Sequence, residues 1–255
     1  MKVNEEFEGL IQKENGDYVL EGDLISEESI EIDLDDRLFV CGSVISKMSI
    51  KVGRTLIASD GIKAGMGIVA GCGIKAGEGI EAGWGIEAGS GIKAGLGIKA
   101  GWGIKAGEGI KADCGIKAGW GIEAGCGIEA GGGIEAGDGI EAGCGIKAGE
   151  GIKADCGIKA GEGIKADCGI EAGYGIKAGC GIEAGYGIKA GEGIKAGSFI
   201  RSEKRIFAGL SVYDTVESCK KTITCAELQK GEICYGDLIL TDNQNAKKET
   251  EDART

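Results

Sequence analysis

The sequence predicts an all-β fold, a single-chain parallel β-solenoid built from hexapeptide repeats. Three observations carry this. A phrase Gly-Ile-Lys/Glu-Ala-Gly-x recurs through 23 consecutive hexads from Gly61 to Ser198. Aliphatic residues hold the same six-residue phase outside that block, at positions 32, 38, 44, 50 and 56 before it and at Ile200, Ile206 and Val212 after it. The chain holds 52 Gly and no Pro, and the glycines cluster in the repeat.

The competing structures fail on simple grounds. A helix is disfavoured because Gly costs about 1 kcal/mol relative to Ala at each interior position. Collagen needs Gly at every third residue, and here the spacing alternates two and four. A flexible Gly-rich linker has no reason to keep Ile at a fixed phase. In Ile-Lys/Glu-Ala the side chains alternate, so Ile and Ala share one face and the charge points the other way. Gly-x-Gly then turns the corner, since Gly tolerates positive φ and close backbone approach. One such strand cannot bury its Ile alone, but stacked coils can.

These hexads resemble the hexapeptide-repeat β-helices, and the alternating strands with Gly corners are also similar to the bactofilins, bacterial filament proteins. The resemblance covers roughly residues 30–214. It implies a solenoid architecture and, on the bactofilin side, end-to-end self-assembly. The left-handed β-helix enzymes usually place a small residue two before the aliphatic one, whereas here that place is variable, as at Glu150 before Ile152.

We expect three sides, so that each coil takes three hexads. Like charges should avoid stacking on adjacent coils. At a spacing of 18, 12 of 19 outward Lys/Glu pairs are opposite in sign, against 9 of 20 at a spacing of 12 and 14 of 18 at a spacing of 24, the last raised by Lys and Glu coming in runs of about four. Trp84, Trp102 and Trp120 also recur at 18, although Cys144, Cys156, Cys168 and Cys180 recur at 12. Core volume decides, because four sides would enclose more space than Ile and Ala fill.

The domain reading follows. Residues 1–30 form an acidic N-terminal β cap, with Asn15-Gly16 as a turn between two apolar runs. Residues 31–214 form the solenoid, near-perfect over 61–198. Residues 215–240 form a C-terminal β-hairpin cap turning near Lys230-Gly231, and 241–255 a disordered polar tail.

Charge and cysteine usage narrow the functional classes. The net charge of −12 is concentrated at the N-terminus, since residues 1–60 carry 14 acids and 6 bases. No basic stripe points to direct nucleic-acid binding. There is no apolar run long enough for a membrane span and no apolar leader, so with 11 Cys and no His we expect a reducing, cytoplasmic setting. Neither a metal site nor a cofactor is expected: no His completes a set, and Cys219, Cys225 and Cys234 lack zinc-type spacing. An acid beside a thiol, as in the Asp-Cys pairs at 113, 155 and 167, raises the thiol's pKa, the reverse of what a reactive cysteine wants. Catalysis is not expected either, because the acyltransferases that the repeat resembles depend on a His.

The variable hexad position holds Cys, Glu, Trp, Tyr and others, which marks an exposed corner. The candidate binding residues are the corner aromatics Trp84, Trp102, Trp120, Tyr174 and Tyr186, a recognition stripe if they gather on the surface. The acidic run adds Glu27, Glu28, Glu31, Asp33, Asp35 and Asp36, a partner surface or merely a solvated cap face. The expected function is a non-enzymatic scaffold or inhibitor that engages a protein partner. The alternatives are a bactofilin-like filament formed by self-association and an acidic nucleic-acid mimic.

Overall fold

The computed structural model describes residues 1–209 and 221–241. Val212, Cys219, part of the expected C-terminal cap and nearly all of the expected tail lie outside the described residues. The chain forms two compact units, Met1–Gly131 and Gly132–Thr255. Both are parallel β-solenoids with three strands per coil.

The first unit opens with β1 (Lys2–Val3), β2 (Leu10–Gln12), β3 (Tyr18–Leu20), β4 (Leu24–Ser26) and β5 (Ile30–Ile32). It continues with β6 (Leu38–Val40), β7 (Val44–Ser46), β8 (Ile50–Val52) and β9 (Leu56–Ala58). From Ile62–Ala64 to Ile128–Ala130 every hexad contributes one three-residue strand. Each strand pairs in parallel with the third strand before it and the third after it, so Ile62 lies between Val44 and Ile80, and Ala64 lies on Ala82. Ile falls on Ile and Ala on Ala, and Ile104 and Ala106 are only 1% and 2% exposed. Three Ile and three Ala per coil fill the interior that three sides enclose.

The glycines work by close approach rather than by positive φ, because no hexad glycine has φ in the left-handed region. A Cβ on Gly107, in the fifth hexad position, would sit 2.0 Å from the carbonyl oxygen of Gly89 one coil earlier. A Cβ on Gly109, in the first position, would meet only the Gly127 oxygen at 3.3 Å. Where Asp155 takes the fifth position, its N–H reaches Ala136 O at 3.2 Å, against 3.0 Å for Gly173 to Ala154 O.

The first coil departs from the expected phase. Ile30, not Ile32, stacks on Ile50, and Tyr18 stacks on Leu38, so this coil is two residues longer than three hexads. The extra residues lie in the acidic corner between β5 and β6, where Leu34 turns inward. Ile30 and Ile32 both face the core, so either satisfies the alternation and the slip leaves no mark in the aliphatic pattern. The three-strand coiling therefore begins at Tyr18, inside the stretch read as a cap. Ahead of it β2 and β3 form the antiparallel hairpin that Asn15-Gly16 signalled, with Gly16 at φ +91°, and β1 lies parallel on β5.

The second unit repeats the plan from β22 (Ile134–Ala136) to β32 (Ile194–Ala196). It then departs from three-residue strands with β33 (Phe199–Ala208), β34 (Thr222–Cys225), β35 (Glu227–Tyr235) and β36 (Asp237–Leu240). Strand β33 stacks on the strands at Ile182 and Ile188, and so runs around a corner. The C-terminal segment is not a hairpin. β35 lies parallel on β33 and β36 parallel on β34, which continues the coil. Lys230-Gly231 reads as a turn in sequence, yet Gly231, at φ +134°, lies within β35, whose pairing with β33 shifts register there. Its Cβ would strike Ile206, so the glycine admits the core here rather than reversing the chain.

Candidate functional site

Since each coil has three strands, the variable residues fall into three columns, one per corner. All of them from Met66 to Ser198 are exposed or half-exposed. In the first unit one column is apolar from Met48 onward. The N–H of Met66 donates to Met48 O at 2.9 Å, Trp84 to Met66 O at 3.0 Å, Trp102 to Trp84 O at 2.9 Å and Trp120 to Trp102 O at 3.1 Å. The indoles stack, with ring centroids 5.3 Å apart for Trp84–Trp102 and 5.5 Å for Trp102–Trp120, and planes within 6° and 10°. Both faces of Trp102 are thus covered, so the central ring offers solvent its edge, while Trp84 and Trp120 are each stacked by an indole on one face. Met48 is 44% exposed and the three tryptophans 47–62%, with Met66 half-buried between them.

Tyr174 keeps the 18-residue phase of the tryptophans, and Tyr186 does not. The two tyrosines are two hexads apart and so occupy different corners of the second unit. Tyr174 follows Asp138 and Cys156, and its carbonyl accepts the Glu192 N–H. Tyr186 follows Cys168, and Lys204 Nζ lies 4.2 Å from its ring centroid. That ammonium occupies one face of the ring.

Part of the acidic run is paired with cations of the same chain. Asp33 pairs with Lys2 at 3.1 Å, and Glu27 pairs with Lys47. Glu28 lies 3.9 Å from the N-terminal amine. Glu31 stacks between Lys2 and Lys51 in the ladder. Asp36 Oδ1 accepts the Arg37 N–H at 2.9 Å, and Asp35 is exposed. Sequence reasoning missed the strongest ion pair of this end. Arg37 donates through Nε and Nη2, both at 2.8 Å, to the buried carboxylate of Asp17. That pair spans the longer first coil, so a strict three-hexad reading does not align it. Met48 and Met66, by contrast, lie two coils and one coil before Trp84, and the same period would have found them.

The outward Lys and Glu residues form cross-coil ion pairs, among them Lys105–Glu123 at 3.1 Å, Lys111–Glu129 at 3.0 Å and Lys189–Glu171 at 2.9 Å. Each is solvent-exposed and contributes little, about 0–1 kcal/mol. Their arrangement sets surface pattern more than stability.

The described cysteines form no disulfide. The thiol of Cys156 is pushed up to about 11, chiefly by its hydrogen bond to Asp138, then by burial and by the charges of Asp138 and Asp155. The direction matches the expectation for an Asp-Cys pair. The dominant carboxylate, however, lies one coil away rather than next in sequence. Weighing the smaller thiolate fraction against its higher nucleophilicity, Cys156 should alkylate roughly tenfold more slowly than an ordinary thiol at about pH 8. Asp138→Asn should restore most of that rate. Iodoacetamide labelling followed by peptide mass spectrometry reads this, in a Cys114→Ser background, because Ala-Asp-Cys-Gly-Ile-Lys otherwise occurs twice. An unchanged rate in Asp138→Asn would remove the assigned cause.

Among the described residues, no three or more His, Cys, Asp or Glu side chains gather as ligands to a metal ion would, and no helix is long and apolar enough to cross a membrane. No family model, curated protein or solved structure matches this chain.

Proposed function

We propose that this protein is a non-enzymatic interaction scaffold whose working surface is the Met48–Met66–Trp84–Trp102–Trp120 corner. The observation that carries the reading is the stacked tryptophan ladder, held half-exposed on a regular β frame. Trp is the commonest energetic anchor at protein interfaces, and contiguous apolar surface left in water marks interaction sites. Stacking three indoles also fixes their rotamers, so little side-chain entropy remains to be lost on binding.

The ring geometry favours a protein surface over other ligands. Bases of single-stranded nucleic acid stack on open aromatic faces. The faces of Trp102 are taken by its neighbours, whereas ring edges suit apolar side chains. The pairing of Glu27, Glu28 and Asp33 with cations of the same chain weakens the nucleic-acid-mimic reading, because a mimic needs carboxylates unmatched by nearby cations.

The test is capture from lysate with the wild-type chain and with Trp84/Trp102/Trp120→Ser. A Tyr174/Tyr186→Ser variant serves as the control for a change of exposed aromatics elsewhere. A protein retained by the wild type and the tyrosine variant but lost from the tryptophan variant is the expected result. Equal retention by all three would remove the ladder from the function.

A further inference from the structure

We infer that the tryptophan corner is where two copies of this chain meet, antiparallel, about a two-fold axis lying between the levels of Trp84 and Trp102. This rests on reading that corner as the contact surface, and it names the occupant. Two observations carry it.

The first is the repeat. The corner offers one side chain per coil at a rise of about 4.8 Å. A second stack of coils has the same rise at every level, so its corner can meet this one side chain against side chain. In the inferred register Trp84 of one copy faces Trp102 of the other, and Met66 faces Trp120. A thioether against an indole edge is a favourable contact.

The second is charge. Two columns of outward residues flank the corner. On one side they run Lys63, Glu81, Lys99, Lys117, and on the other Val69, Glu87, Lys105, Glu123. Reversal about the inferred axis sets Glu81 opposite Lys99 of the second copy and Glu87 opposite its Lys105, each twice by symmetry. Glu81 already pairs with Lys63 at 3.1 Å and Lys99 at 3.7 Å in its own chain, and Lys105 with Glu123 at 3.1 Å, so the contacts between copies share these exposed charges. Only Lys63 against Lys117, at the margin, is unfavourable. Moving the axis to Trp84 sets Glu81 against Glu81 and Lys63 against Lys99. Moving it to Trp102 sets Lys99 against Lys99 and Lys105 against Lys105. A parallel arrangement sets Glu81 against Glu87 and Lys99 against Lys105. One register is therefore self-complementary, as an isologous interface requires.

The strip is narrow and about 20 Å long at the coil rise. It lies below the area of a standard interface, so the dimer should be weak, with a Kd on the order of micromolar or higher.

The experiment is sedimentation velocity on the full chain from about 1 μM to about 500 μM, a range that brackets such a Kd. Four proteins are compared: wild type, Trp102→Lys, Glu81→Lys, and Glu81→Lys/Lys99→Glu. Circular dichroism melts confirm that each is folded. The wild-type mass should rise towards twice the monomer. Trp102→Lys should weaken association by at least tenfold, since the change is made twice per dimer. Glu81→Lys should weaken it by roughly tenfold, and the double charge reversal should bring it back. A constant monomer mass overturns the inference, as does growth into long polymers, a dimer indifferent to Trp102→Lys, or a double reversal that fails to restore. A monomer whose tryptophan corner still captures another protein overturns the dimer alone. A monomer without tryptophan-dependent capture ends both readings.

Discussion

Ile104→Ala is expected to destabilise the first unit by about 2–5 kcal/mol, the range for removing a buried Ile side chain down to its Cβ. The upper part of that range applies. Ile104 is 1% exposed and lies between Ile86 and Ile122 in a column of identical residues. Its neighbours are fixed by parallel ladders on both sides, so the coil has little freedom to collapse into the space. A shift of the denaturant midpoint, with the slope unchanged, measures it. A loss below about 1 kcal/mol would show that the stack relaxes around a missing side chain, against the packing argument made here.

Gly107→Ala and Gly109→Ala are expected to differ sharply although they flank one corner residue, Glu108. Neither glycine needs positive φ. The difference is space alone, because the added methyl meets a backbone carbonyl oxygen at 2.0 Å in the first case and at 3.3 Å in the second. The first substitution forces adjacent coils apart and should cost about 1–3 kcal/mol, as overpacking does. The second should be close to neutral, since Ala loses less backbone entropy than Gly on folding, an effect of about 0.4–1 kcal/mol. Chemical denaturation of both variants reads the difference. Equal costs would mean that the glycines act through conformational freedom rather than close approach.

The regular part of the fold was legible because each signal was redundant. Ile phase and Ala phase set the six-residue strand period, and the tryptophan spacing together with core volume describes one coil of three hexads. Charge alternation alone scores higher at 24 than at 18, because Lys and Glu come in runs. The failures share a cause, which is that a local pattern fits two arrangements. Ile30 and Ile32 both face inward, so the slip at the acidic corner is invisible in hydrophobicity. Lys230-Gly231 has turn chemistry, yet its glycine makes room for Ile206 in a strand. Asp155 adjoins Cys156 in sequence, but Asp138 holds the thiol across the coil.

The candidate site divides the same way. The three tryptophans were visible as a set and the structure stacks them. The two tyrosines looked equivalent to them, and only the three-corner geometry separates the tyrosines from each other. Met48 and Met66 were overlooked because they sit where the hexads begin to degenerate, and methionine is less conspicuous than tryptophan. The acidic run was legible as charge, but which carboxylates are paired was not, since Lys2 and Lys47 meet Asp33 and Glu27 only in the folded chain.

The central claim is that one corner, not the solenoid as a whole, makes the contacts. The most direct measurement places a photo-crosslinking amino acid in turn at Trp102, Leu96 and Glu108, one on each corner of the first unit, and compares adduct yields in lysate. The account predicts adducts from position 102, at far lower yield from 96 and 108. Equal yields at all three, or adducts only from 96 or 108, would contradict it.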